Sequence, residues 1–258
     1  MTNSTSDGPR YELSRIRLAD GSETTVYVVV HPRRATRVRV ACFEEAQRLD
    51  HWCAAHGRPE AIVAGFFVPD PWRPLGEVRI GGEPVAHEPI AAPFGPVRSC
   101  IHLEPDGAVT LAPRRELAAA PAGDLVQAGP RLVADGRVVV DEGDPEGFSA
   151  AAGQLDSDIT AERHPRCALG VNEEDLFAVC CDGRRTGVDA GLDLAELARL
   201  LVSLGATDAI NLDGGGSATL VHRGHLLNRP YSSVDQPGPE SRPVVTALLF
   251  DPSPTVWS

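Results

Sequence analysis

Lysine is absent from this 258-residue chain, methionine occurs once, and aromatic side chains make up only 5%. A core must therefore be filled by Val, Leu, Ile and Ala, and 42% hydrophobic residues are enough to fill one. A basic face is missing too: 36 acidic against 24 basic side chains give a net charge of −12, with no run of arginines. Proteins that follow a nucleic-acid backbone need clustered positive charge, so nucleic acid is excluded as a partner. The arginines stand singly or in pairs. For most of them a bias of genomic composition is explanation enough, and a few could clamp a single phosphate or carboxylate.

No apolar stretch approaches the ~20 residues that span a bilayer, so no membrane partner is expected. Residues 1–10 are polar and lack the apolar segment of a secretory signal. They read as a disordered leader, and a cytoplasmic location follows as an expectation. Cys42, Cys53, Cys100, Cys167, Cys180 and Cys181 form neither a compact disulfide framework nor a CxxC zinc pair. Reduced, mostly buried thiols are expected. Cys180 and Cys181, adjacent in an apparent strand, should face opposite sides.

β-branched and apolar runs bounded by Gly, Pro and Asp predict strands over 24–30, 38–41, 61–67, 167–171, 176–181, 208–212, 217–222 and 244–250. Asp106-Gly107 and Asp135-Gly136 read as hairpin turns. The proline- and glycine-dense 69–96 stretch predicts turns and short strands, and 113–123 a loop or short helix. Two helices are expected. One covers 44–55, with Gly57 past its end. The other begins at the capping box Asp193-Leu194-Ala195-Glu196 and continues with Leu197, Leu200, Leu201 and Leu204 at helical spacing. Residues 141–158, acidic and without periodicity, are expected to be a mobile loop or lid. The fold class is α+β: mixed, largely antiparallel sheets packed with a few helices, in one domain over 11–258.

One segment stands out chemically. Gly214, Gly215 and Gly216 follow a buried strand, where three glycines are entropically costly unless backbone must approach a ligand or take a positive φ. Successive amides there can form an anion-binding nest, and Ser217 adds a hydroxyl. Asn211 and Asp213 share one face of the strand while Leu212 turns to the core. The same residues also fit a glycine-rich hairpin whose Asn and Asp merely bond the turn. A second segment, Cys181-Asp182-Gly183-Arg184-Arg185, again ends an apolar strand. Alone it reads as a turn, although Asp182 could face a site and Arg184 fork onto a phosphate. No Lys-Ser/Thr follows Gly216, so a nucleotide P-loop is excluded. His164 and His222 read as ordinary polar residues, and His222 with His225 lacks zinc-binding helical spacing.

Taken in order, His164-Pro165-Arg166, Cys181-Asp182-Gly183-Arg184, Gly191-Leu192, the 208–217 segment with its Asn-Leu-Asp-Gly-Gly-Gly-Ser core, Asn228-Arg229-Pro230 and Ser241-Arg242-Pro243 resemble the phosphodiester glycosidase family. The resemblance is strongest over 125–250; Gly65-Phe66-Phe67 and Gly129-Pro130 match earlier family elements. Three positions depart from the family pattern. Val63 stands where a polar residue is usual, Cys167 where Thr follows Pro-Arg, and Asp189 where Ser precedes Gly-Leu.

The resemblance implies hydrolysis of a sugar-1-phosphodiester, N-acetylglucosamine being one sugar handled in the family, with release of the sugar and a phosphomonoester. It implies that Arg166, Arg184 and Arg242 bind phosphate together with Gly214, Gly215, Gly216 and Ser217. Asp213 and Asp182 are then the candidate nucleophile or base, and Asn211 holds sugar hydroxyls. Asp189 reads as a turn residue. The expected partner is a small sugar phosphodiester, from specialised metabolism if the location is cytoplasmic. No cofactor is implied. Two other readings use the same residues: a non-catalytic sugar-phosphate binding module, favoured by Val63, and a phosphodiesterase in which Asp213 and Asp182 begin a divalent-cation site.

Overall fold

The computed structural model describes residues 8–140, 146–147, 162–230 and 241–253. The first seven residues of the expected leader, and all of the expected 141–158 loop except Glu146 and Gly147, lie outside them.

Nineteen strands and two α-helices are described. The largest sheet has the spatial order β1 (Arg10–Arg17), β2 (Glu23–Pro32), β15 (Asp175–Cys181), β14 (Arg166–Val171), β16 (Asp208–Asn211), β12 (Arg131–Ala134) and β13 (Arg137–Val138). Every neighbouring pair in it is antiparallel. A second sheet runs β18 (His225–Leu226), β17 (Leu220–His222), β4 (Ala61–Val63), β19 (Val244–Pro252) and β3 (Thr36–Gln47). A third runs β10 (Val109–Pro113), β9 (Ser99–Leu103), β11 (Asp124–Gln127), β7 (Val78–Ile80) and β8 (Glu83–Pro84). β5 (Phe67–Pro69) and β6 (Trp72–Pro74) form a small hairpin, and α1 (Leu49–His56) and α2 (Leu194–Ser203) complete the fold. The expected α+β class, with mostly antiparallel sheets and two helices, is what the chain adopts.

The large sheet is covered on both faces. Tyr27, Val29, Leu169, Ala178, Cys180, Ile210 and Leu212 pack against the second sheet through Val40, Ile62, Leu220 and Leu248. The intervening residues Val26, Val28, Val30, Phe177, Val179 and Cys181 pack on the other face against Leu197, Ala198 and Leu201 of α2. Two-sided burial explains why β2 and β15 read as continuous apolar runs rather than as alternation. It also separates Cys180 from Cys181 as expected. All six cysteines are free; five are buried, and Cys167 and Cys180 sit opposite each other across β14 and β15 with sulfurs 3.4 Å apart.

Four expected boundaries move. Arg10, counted in the expected leader, belongs to β1, where it opposes Val30. The 44–55 helix begins only at Leu49, because β3 continues past a register shift to pair Gln47 with Val244. Its end is as expected, with Gly57 left-handed at φ 61°. The 61–67 strand breaks after Val63: Ala64 turns its carbonyl to the Asp213 amide at 2.9 Å, and Gly65 N donates to Thr246 Oγ1 at 3.0 Å. The strand expected from Ser217 begins only at Leu220, since Gly215–Ser217 is a 3-10 turn. Both Asp-Gly hairpins form, β9–β10 around Asp106-Gly107 and β12–β13 around Asp135-Gly136.

Candidate active site

Three successive amides at the end of β16 each bond a different element. Asn211 N donates to Pro130 O at 3.0 Å, Leu212 N to Cys167 O at 2.9 Å, and Asp213 N to Ala64 O at 2.9 Å. The strand end is thereby held between the large sheet and the second one. Leu212 fills the core while Asn211 and Asp213, both buried, turn the other way.

The glycine loop then folds back. Gly214 N donates to Asp213 Oδ1 at 2.8 Å, and Gly215 N to Pro165 O at 2.8 Å. Among the described residues, Gly216 N is the amide of the three left without an acceptor, while Gly216 O accepts from Arg242 N at 3.2 Å. Gly215 sits at φ 56°, a left-handed value that favours glycine. A Cβ there would lie 3.5 Å from both terminal nitrogens of Arg184 and 3.6 Å from its Cζ. Such equal distances mean that the guanidinium lies flat over this backbone. Arg184 itself has φ 58°, uncommon for a residue with a side chain.

Asp213 is strongly perturbed by its surroundings. Burial raises its carboxyl to about 6, against the opposing pull of the Ser217 hydroxyl, the Gly214 amide and the Arg242 charge. The structure thus brings together Asp213, Gly214, Gly215, Gly216, Ser217, Arg184 and Arg242.

The other expected residues stand around this group in different roles. Asp182 is buried, with Tyr27 Oη donating to Oδ2 at 2.9 Å and Arg229 N to Oδ1 at 2.7 Å. Burial is the main reason that its carboxyl is raised. Arg166 is 1% exposed and supports backbone: Nε donates to Leu192 O at 3.0 Å and Nη2 to Glu162 O at 2.8 Å. Asn211 Nδ2 donates to Gly129 O at 3.1 Å, whereas its buried Oδ1 has no donor among the described residues. Asp189 closes the turn from Arg185 and accepts Thr25 N at 2.9 Å. Val63 lies in the apolar core, opposite Ala247 of β19.

Two residues that enter this constellation carry little signal in the sequence. His164, read as an ordinary polar residue, is buried and accepts at Nδ1 from Arg184 Nε at 3.1 Å. Tyr27 looks like any strand residue; only the β2–β15 pairing, which sets Tyr27 opposite Cys180, carries it to Asp182. His222 lies elsewhere, its Nδ1 2.8 Å from Glu60 Oε2. Among the described residues no three His, Cys, Asp or Glu side chains are grouped to hold a metal ion, and no helix is long and apolar enough to cross a membrane.

Comparison with known folds places this geometry in context. The catalytic domain of zebrafish N-acetylglucosamine-1-phosphodiester alpha-N-acetylglucosaminidase, solved in a form auto-inhibited by its pro-peptide, aligns with a TM-score of 0.72 at 21% identity, covering 96% of this chain and 84% of that one. A Synechocystis protein aligns with a TM-score of 0.64 at 20% identity, over 96% and 62% of the two chains. A Burkholderia pseudomallei protein described as exported gives 0.61 at 16% identity, over 89% and 74%. At these identities the likeness is one of fold. Among curated proteins none matches the chain. The phosphodiester glycosidase family model matches residues 57–251, which include every residue of the constellation except Tyr27. The chain belongs to the phosphodiester glycosidase family.

Proposed function

We propose that this protein hydrolyses the bond between a sugar anomeric carbon and a phosphodiester oxygen, releasing the sugar and leaving a phosphomonoester. The observation that carries the reading is a buried carboxylate, Asp213, converging with the Arg184 and Arg242 cations on one glycine loop. A phosphate monoester is a good leaving group, so strong protonation of the departing oxygen is less necessary than stabilising its charge. Arg184, Arg242 and the Gly216 amide offset that charge, while the Ser217 hydroxyl, which has one proton to give, holds Asp213. Asp213 serves the anomeric carbon as nucleophile or as base for water.

Of the two candidate carboxylates, Asp213 is the better placed to react. Both oxygens of Asp182 already hold protein donors, which suits it to fixing Tyr27 and the Asn228-Arg229 turn beside the site. Arg166 likewise acts on the frame through the Leu192 and Glu162 carbonyls. The unsatisfied Asn211 Oδ1 fits a sugar hydroxyl, because a buried acceptor without a donor is costly. Support comes also from family membership and from the structural neighbour, whose name records hydrolysis of an N-acetylglucosamine phosphodiester. The sugar and the group beyond the phosphate remain a class, sugar-1-phosphodiesters.

Phosphorus NMR of sugar-1-phosphodiesters incubated with the protein tests the reading. The diester signal should give way to a phosphomonoester. Asp213→Asn should lower kcat by about 10²–10⁴-fold, and Arg242→Ala should raise KM by about 10- to 100-fold, the worth of a charged hydrogen bond. Calorimetric binding without turnover would favour a binding module, and activity lost to a chelator would favour a divalent-cation enzyme. Full activity of Asp213→Asn would sink the assignment.

A further inference from the structure

We infer that His164, as a neutral imidazole carrying its proton on Nε2, is the positioning residue that aims the Arg184 guanidinium across the glycine loop. The inference rests on the proposed function only in giving Arg184 an oxyanion to meet. Arg184 Nε–H donates to Nδ1 of His164 at 3.1 Å. A nitrogen that accepts cannot also carry a proton, so the ring is the Nε2–H tautomer. An imidazolium would set N–H against N–H and cation against cation.

The imidazole has little room to drift. Its own backbone is locked in both directions to Leu192, His164 N donating to Leu192 O at 3.2 Å and Leu192 N to His164 O at 3.1 Å. Two glycines press on the same peptide. A Cβ at Gly191 would come within 2.6 Å of the His164 carbonyl oxygen, and one at Gly183 within 2.6 Å of Pro165 N. Any larger residue at either place would push the His164-Pro165 backbone away. The acceptor is thus placed by packed backbone rather than by a flexible stem.

The choice of histidine has a physical reason. Elsewhere in the chain arginines are held by carboxylates, as Arg163 is by Glu196 and Arg185 by Asp189. A carboxylate at residue 164 would orient Arg184 equally well but would cancel charge that an incoming anion needs. A neutral nitrogen orients the fork and adds no negative charge of its own. With Nε fixed, the terminal nitrogens are brought over Gly215, next to the loop that holds Asp213.

The test combines a spectroscopic and a binding measurement on the whole chain. Long-range nitrogen–proton NMR of the imidazoles at neutral pH, assigned by the signals lost in His164→Asn, should show an unprotonated Nδ1 and a protonated Nε2. In Arg184→Met that bias should give way to a tautomer mixture. An imidazolium, or a proton on Nδ1, in the unaltered protein would overturn the inference. Inorganic phosphate titrated by calorimetry supplies the second arm. His164→Leu should weaken phosphate binding by about tenfold, and His164→Asn, whose Oδ1 can take the place of Nδ1, should recover most of it. Equal affinity of the leucine variant and the parent, or failure of asparagine to rescue, would overturn the inference. If His164→Leu does not fold, His164→Gln serves in its place, because its acceptor falls where Nε2 was. An unaltered protein that shows the expected tautomer yet binds no phosphate would overturn the proposed function and leave the pairing of His164 with Arg184 standing.

Discussion

Asp213 ties acidity, stability and activity to one atom group. Its carboxyl is raised from 3.8 to about 6, so the folded protein binds this proton more tightly than the unfolded chain does. Stability from this group is therefore complete below about pH 4 and declines as pH rises through 6, by roughly 3 kcal/mol in all. Asp213→Asn removes the cost of burying the charge. The variant should exceed the parent by roughly 1 kcal/mol near pH 4.5 and by roughly 3 kcal/mol at pH 7.5, read from denaturant midpoints. An equal difference at both values would show that the carboxylate is not the source. In the parent, kcat/KM should rise with pH through about 6 as the carboxylate forms. At this scale the glycine motif was legible in the sequence, because three glycines after a strand have few cheap structural uses. His164 was not. One imidazole in a loop gives no sign that Arg184 will lie against it, since the contact is made by chain segments twenty residues apart.

Elements were legible where their signals are local and blurred where a distant strand decides. The capping box at α2 is present in full: Glu196 N donates to Asp193 Oδ1 at 2.7 Å, and Asp193 N to Glu196 Oε2 at 3.0 Å. By contrast, residues 44–47 have a composition that suits a helix and are strand because Val244 offers Gln47 a partner; tertiary pairing outweighs such weak preferences. The α2 cap also reaches the site. Glu196 holds Arg163 at 2.6 Å, the residue before His164, and Arg163 extends to Asp20 Oδ2 at 2.6 Å. Asp193→Ala should thus cost about 1 kcal/mol of stability with little change in phosphate affinity. Glu196→Ala, which also releases Arg163, should weaken phosphate binding in addition. Denaturant midpoints and calorimetry separate the two effects, and identical behaviour of the variants would refute the coupling.

Across the whole molecule, the candidate site occupies the end of a sheet buried on both faces rather than a set of surface loops. β16 is central, with β14 on one side and β12 on the other, whereas β1 is an edge strand exposed along most of its length. The sequence announced β2, β14, β15 and β16 as apolar runs and β12–β13 as a hairpin, but gave no sign of the polar β1 or of the strand order, since which strand neighbours which depends on contacts far apart in the chain. That order determines where the site is stiff. The amides of Asn211, Leu212 and Asp213 are bonded to Pro130, Cys167 and Ala64, so none can open without parting β16 from a neighbour or from the second sheet. Local opening free energies range from near zero at frayed edges to the global value in core strands. Hydrogen exchange should therefore place these three amides with the slowest core of β14 and β15, released only by global unfolding. The β1 amides should exchange by local opening at much lower cost. If Asp213 exchanged as fast as β1, its carboxylate would sit on a mobile segment, and the preorganisation on which Arg184, Arg242 and Asp213 depend as a group would be lost.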